Sequence, residues 1–245
     1  MKNYSFKSFF LLTLAVLVAV MCSCNTNGEY VNRNGTICYS YWTFSFGTVF
    51  KGLPGVNPAE FKSVNDWLGR DNKHVYFKEK LVKRADPATL EVKKYPLFYD
   101  KKDYYYMGTA LGVANIKSFE VVKWNDDDMW AVDGRYAYYD SLKIENVDIP
   151  TFKIQTYNCA TDRNHVYRYG KIMPLADPAT YVEDWNGLYS RDKAHIWYSG
   201  TLLEDVDYET FVIDKKGARD KLGHFYRGQR VTDEEWERLS REEEL

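Results

Sequence analysis

The chain has 245 residues, a formal net charge of −2, and 28% charged against 45% hydrophobic residues. That length can bury a substantial core as one domain or one array. The mildly acidic, mixed charge offers no basic stripe for a phosphate backbone, so nucleic acid is not an expected partner.

The first segment reads as a targeting leader. Lys2 and Lys7 give it a positive start, and Phe9 to Met21 is apolar apart from Thr13. That run is short for a membrane span and suits the apolar part of a secretory signal. It ends at Met21-Cys22-Ser23-Cys24, which resembles a bacterial lipobox with small Ser23 before a lipidated Cys24. The expectation is a lipoprotein leader over residues 1–23 and membrane attachment through lipid on Cys24 rather than through the folded part. The expected address is a bacterial cell envelope, at the outer membrane. An ordinary secretory signal cut nearby is the alternative. Beyond the lipobox only Cys38 and Cys159 remain. They lack metal-site spacing and read as buried thiols, with a disulfide in an oxidising envelope as the other option.

Residues 24–61 read as an N-terminal cap. Tyr39, Tyr41, Trp42, Phe44 and Phe46 alternate like a strand, and Asn57-Pro58-Ala59-Glu60-Phe61 forms a degenerate half repeat. From 62 to 231 a unit of about thirty residues recurs. Asp71, Asp100, Asp133, Asp162 and Asp192 head five copies. Each Asp is followed by a strand-forming pair that ends in an aromatic: Val75-Tyr76, Tyr104-Tyr105, Ala137-Tyr138, Val166-Tyr167 and Ile196-Trp197. Turn signals come next, with Gly108, Gly170 and Gly200 in three copies, and then a return strand marked by Val82, Leu111, Ile144, Met173 or Leu203.

The second half of each copy carries Asp86, Asn115, Asp148, Asp177 or Asp207, then Thr89, Ser118, Thr151, Thr180 or Thr210. In Asp86-Pro87-Ala88-Thr89 and Asp177-Pro178-Ala179-Thr180 the Asp can cap a tiny helical turn that Pro opens. A third short strand follows. Asp220 opens an irregular sixth copy through His224, Phe225, Tyr226 and Gly228. Thr232-Asp233-Glu234-Glu235 signals a capping box, so residues 232–245 are expected to hold a short polar helix with Trp236 and Leu239 inward.

The cores Asp71-Asn72-Lys73-His74-Val75-Tyr76, Asp100-Lys101-Lys102-Asp103-Tyr104-Tyr105 and Asp162-Arg163-Asn164-His165-Val166-Tyr167 resemble the DKNYY repeat family. The resemblance covers roughly 62–231 and extends to the Asp-Pro-x-Thr second halves. Asp133-Gly134-Arg135-Tyr136-Ala137-Tyr138 departs most from the pattern. The resemblance implies a bacterial, often envelope-associated protein and no catalytic residues.

Most chemistry-bearing residues are therefore repeat positions. His74, His165 and His195 hold one offset and are separated by whole copies, whereas a shared metal needs ligands converging at about 2 Å. Neither a Gly-x-Ser-x-Gly elbow nor a phosphate-cradling glycine loop occurs. No metal, cofactor or catalytic residue is expected. Two features stand outside the repeat: Asp126, Asp127 and Asp128 in the longest gap between copies, and Trp124, Trp130 and Trp185 as residues of a possible exposed platform for sugar or peptide. The competing view of both is a solvated loop and core tryptophans.

The expected fold is all-β: about six hairpin-plus-strand repeats, in an open curved array rather than a closed propeller, with a C-terminal capping helix. The expected function is non-enzymatic, a lipid-anchored envelope protein presenting a β-repeat surface to a protein or glycan. A polysaccharide-acting enzyme is the alternative, with two carboxylates across a groove. A purely structural envelope component is the third reading.

Overall fold

The computed structural model describes residues 28–125, 128–184, 187–214 and 217–242. Over these residues it is all-β apart from 3-10 turns and one short helix, with seven small antiparallel sheets. None of the seven closes on itself as a barrel. The chain divides into two compact units between Ala110 and Leu111.

In the first unit, β1 (Glu29–Arg33), β2 (Thr36–Thr43) and β3 (Gly47–Gly52) form a meander of three strands. Two four-stranded meanders follow. One is β4 (Lys62–Ser63), β5 (Leu68–Arg70), β6 (Val75–Phe77) and β7 (Lys80–Val82). The other is β8 (Glu91–Lys94), β9 (Leu97–Tyr99), β10 (Tyr104–Tyr106) and β11 (Thr109–Ala110).

The second unit has four such meanders. The first is β12 (Glu120–Trp124), β13 (Met129–Val132), β14 (Ala137–Tyr139) and β15 (Leu142–Ile144). The next comprises β16 (Lys153–Ile154), β17 (Cys159–Thr161), β18 (Val166–Arg168) and β19 (Lys171–Ile172). Then come β20 (Val182–Glu183), β21 (Tyr189–Arg191), β22 (Ile196–Tyr198) and β23 (Thr201–Leu202). The last holds β24 (Val212–Ile213), β25 (Ala218–Asp220), β26 (Gly223–Tyr226) and β27 (Gln229–Val231).

These meanders correct the expected hairpin-plus-strand unit in count and in phase. Each of the six sheets after the first has four strands, because a strand just before the Asp (β5, β9, β13, β17, β21 or β25) pairs with the one after it. The second half of one sequence repeat therefore shares a sheet with the first half of the next. The half repeat at Asn57–Phe61 is the leading half of the first four-stranded sheet.

Such short strands cannot fold alone. Within each unit they are stabilised because consecutive sheets bury each other's faces. Leu68, Val75 and Phe77 pack against Phe98 and Tyr105. Trp130 and Tyr139 pack against Ala160 and Tyr167, and Tyr189 and Ile196 against Ala218 and Phe225. The central strand of a sheet is buried on both faces, as in Val75-Tyr76-Phe77, where all three residues are inaccessible. Gly170 shows how close the approach is. It has φ +72, and a Cβ there would lie 2.7 Å from Tyr139 Cβ of the preceding sheet. Glycine is required both by the turn and by the stacking.

Helix α1 (Asp233–Glu242) closes the second unit. The Glu235 N–H donates to Thr232 Oγ1 at 3.2 Å and the Thr232 N–H donates to Glu235 Oε2 at 3.0 Å, the reciprocal capping box. Trp236 stacks on His224 with ring centroids 4.6 Å apart.

Candidate functional site

Asp71, Asp100, Asp133, Asp162 and Asp192, the heads of five copies, are all at most 4% exposed. Their carboxylates are consumed by the backbone. In Asp162, Oδ1 accepts the N–H groups of Asn164 and His165, both at 2.7 Å. Its Oδ2 reaches across the sheet to the N–H of Asp148 at 2.8 Å. The same long bond runs from Asn57 to Asp71, Asp86 to Asp100, Ala114 to Asp133, Asp177 to Asp192 and Asp207 to Asp220. Burial pushes the Asp162 carboxyl up, but the Tyr167 hydroxyl and three N–H donors outweigh it and hold the group below the usual carboxylate range. Asp71, Asp133 and Asp192 are lowered by the same balance.

A final donor completes each carboxylate, and its source varies. Tyr105, Tyr138 and Tyr167 hydroxyls donate to Asp100, Asp133 and Asp162. Where Trp197 has no hydroxyl, His195 Nδ1 lies 3.5 Å from Asp192 Oδ2. Where the Tyr76 hydroxyl donates to Pro54 O instead, His74 Nδ1 lies 3.2 Å from Asp71 Oδ2. In the last sheet Arg230 bonds both oxygens of Asp220. Each of these histidines thus serves the aspartate of its own sheet.

A second closure runs outside the first. The N–H after the Asp donates to the hydroxyl of the preceding half: Lys101 to Thr89, Arg163 to Thr151, Lys193 to Thr180 and Lys221 to Thr210. The side chains of those four cations pair with Asp86, Asp148, Asp177 and Asp207. Where the cap is Asn115 or Asn57, the matching position is uncharged Gly134 or Asn72. Charge appears at both ends of the closure or at neither, a relation already present in the sequence and missed there because the two positions belong to different copies.

The residues outside the repeat fall in three places. Cys24, Asp126, Asp127 and Trp185 lie outside the described residues. Trp130 is not an exposed platform. It is 1% exposed, it packs with Phe152 and Tyr139 between two sheets, and its indole N–H donates to Tyr157 O at 2.7 Å. The reason is register: Trp130 pairs with Tyr139 in the buried middle of the sheet. Trp124, at the end of β12, is half-buried. Asp128 accepts the Tyr139 hydroxyl, and its N–H donates to Asn125 Oδ1 at 2.5 Å.

The exposed aromatic of this region is Tyr157, which the sequence pattern did not single out. It is 57% exposed, lies in the loop between β16 and β17, and has Lys123 Nζ 4.8 Å from its ring centroid. The bond from Trp130 fixes its carbonyl, so a core residue positions a surface one. In the same loop Gln155 lines an open groove of about 540 Å³, with Lys153, Arg163, Thr151 and Pro178.

One sheet contact is chemically distinct. Phe77, Tyr106, Tyr139 and Tyr198 end the central strand of their sheets, but Arg168 ends β18. It is 4% exposed, its Nη1 donates to Glu183 Oε1 at 2.8 Å, and its Nη2 donates to Gly187 O. Glu183 and Ser190 stand where Ile154 and Ala160, or Ile213 and Ala218, pair in neighbouring sheets. A cavity of about 90 Å³ adjoins them, lined also by Asp184 and Phe211. Cys159 and Cys38 are free, buried thiols, and burial pushes the Cys159 thiol up to about 12.

Clamp, hydroxyl and stacking aromatic therefore recur together, sheet after sheet. The family model for this arrangement matches residues 33–109, 53–171 and 111–201. The chain belongs to the DKNYY family. No curated protein and no solved structure gives a match. For this DKNYY protein the match begins at Arg33, inside the three-stranded sheet, and ends at Thr201, before the last meander.

Proposed function

We propose that this DKNYY protein is a lipid-anchored envelope protein, without catalytic activity of its own, that presents the loop edge of its β-sheets to a glycan or protein ligand. The observation that carries the reading is Tyr157: an exposed ring, pinned by Lys123 and held from below by Trp130, in a loop beside a groove whose donors are Lys153, Gln155 and Arg163. A flat ring with a polar rim on a rigid base suits a sugar face or an extended peptide, and the groove is within the size range of ligand sites. Asp71, Asp133, Asp162 and Asp192 are poorly suited to act as a general acid, which needs a raised carboxyl pKa: their carboxyls are lowered and occupied by N–H donors.

Glycan-array binding of the Cys24→Ser protein, compared with Tyr157→Ala and Lys123→Ala versions, tests the reading. Saturable binding lost in both variants supports it. Binding that both variants keep places the ligand elsewhere. A blank array directs the same variants to cross-linking in cells, where a partner captured by wild type and not by Tyr157→Ala supports the protein form. Metabolic palmitate labelling that persists in Cys24→Ser removes the anchor from the reading.

A further inference from the structure

The hairpin of β2 and β3 carries an unusual tip. Trp42, Phe44 and Phe46 are 43%, 89% and 82% exposed, whereas the aromatics of the central repeat strands fill the cores between sheets. The turn that holds them is well built. The Phe46 N–H donates to Thr43 Oγ1 at 3.2 Å, Thr43 pairs with Gly47, and Gly47 takes φ +65. Trp42 and Phe44 meet edge to face at 6.3 Å. From Asn34 to Phe50 there is no charged residue, in a chain with 28% charged residues. An apolar, charge-free, preformed projection is costly to leave in water and calls for an occupant.

The strand register indicates which occupant. Glu29 pairs with Ser40, and Arg33 pairs with Thr36. The chain therefore enters β1 at the tip end of β2, about 10 Å behind Thr43 at 3.3 Å per residue. Arg33 lies toward the far end, with its guanidinium 4.0 Å over the Phe50 ring. Cys24 precedes Gly28 by four residues, a reach of at most about 14 Å. A lipid on Cys24 therefore lies within about 14 Å of Gly28, where the chain enters the sheet at the tip end of β2.

We infer that Trp42, Phe44 and Phe46 seat in the interfacial layer of the bilayer that holds Cys24, as a second contact that orients the protein on the membrane. The inference rests on the lipid-anchor reading. Tryptophan and phenylalanine suit the headgroup boundary, where a ring is buried and no backbone group is lost from its partner. One attachment point leaves the folded part free to rotate, and a hairpin beside it fixes which edge faces outward.

The test uses the full chain, processed in a producing cell fed labelled palmitate, then purified and reconstituted in vesicles of phosphatidylethanolamine and phosphatidylglycerol. An environment-sensitive fluorophore is placed at Phe44→Cys or, as control, at Thr36→Cys, which is exposed at the opposite end of β2. Cys38 and Cys159 are buried and stay unlabelled. In vesicles containing brominated lipid, the label at 44 should shift to the blue and lose about half its emission or more, while the label at 36 does neither. A palmitate-bearing protein whose label at 44 stays water-exposed overturns the inference. So does a blue shift without quenching, which means that a second copy or the leader covers the tip. If the protein carries no palmitate, the anchor reading fails, and the processed protein added to the same vesicles judges the tip alone. Quenching at 44 then sustains membrane contact, and its absence overturns it.

Discussion

The Tyr167 hydroxyl donates to Asp162 Oδ2 at 2.6 Å, and Tyr138 bonds Asp133 Oδ2 at the same distance. The tyrosine belongs to the buried central strand and the aspartate to the turn before it, so the bond ties the core to the turn. The same oxygen of Asp162 also accepts the Asp148 N–H, which ties both to the preceding 3-10 turn. One carboxylate thereby closes three segments, and truncating it leaves several buried donors unpaired. Asp162→Ala should cost about 3–5 kcal/mol and Asp162→Asn about 1–3 kcal/mol, since the amide keeps one acceptor oxygen. Urea unfolding measures both. Equal losses would mean that the one oxygen kept by the amide contributes nothing and that the charge and the second oxygen carry the whole effect.

The lowered carboxyls set an acid limit. Asp71, Asp133, Asp162 and Asp192 have folded-state pKa values below their unfolded values, so the folded chain binds fewer protons. Their contribution is complete above about pH 4–5 and is lost as pH falls through the folded values, below about 4. The urea midpoint should show no loss from these groups between pH 7 and 5 and should fall steeply below 4. In Asp162→Asn the acid slope should be shallower. An unchanged slope would remove Asp162 from the linkage.

The outer closure pairs a cation with a cap aspartate in four sheets and is neutral at Asn57 with Asn72. Building the charged version there, Asn57→Asp with Asn72→Lys, should raise Tm by about 1–2 °C more than the sum of the single changes. The excess should shrink in high salt. Strict additivity in a thermal-melt cycle would show that the pairing of charge types reflects something other than contact.

Arg168 and Glu183 put a buried ion pair where other sheets place an aromatic and an isoleucine. Glu183→Gln leaves the guanidinium buried without its counter-charge and should cost about 3–5 kcal/mol. The double change Arg168→Tyr with Glu183→Ile copies the neighbouring sheets and should recover most of that loss. A double variant no more stable than Glu183→Gln alone would show that the adjoining cavity, rather than charge, sets the local packing.

The repeat was legible because the chain states its local rules many times. An Asp in the turn, an aromatic in the strand after it and a hydroxyl beyond the next cap are each dictated by backbone chemistry within a few residues. The fourth strand was not legible. Leu68-Gly69-Arg70 or Cys159-Ala160-Thr161 shows no alternation when both faces are buried. The candidate site was legible only as a region. Trp124, Asp128 and Trp130 mark the hairpin that forms it, while its exposed ring, Tyr157, arrives from the next sheet. Its exposure depends on what covers each face, which no spacing encodes.

Sequence alone determined the all-β class, the repeat, the Asx turns and the capping box, because each depends on hydrogen bonds between near neighbours. Only the tertiary structure decided which halves share a sheet, which tryptophan is core and which aromatics face solvent. Those outcomes turn on burial between sheets, and burial belongs to pairs of surfaces rather than to stretches of chain.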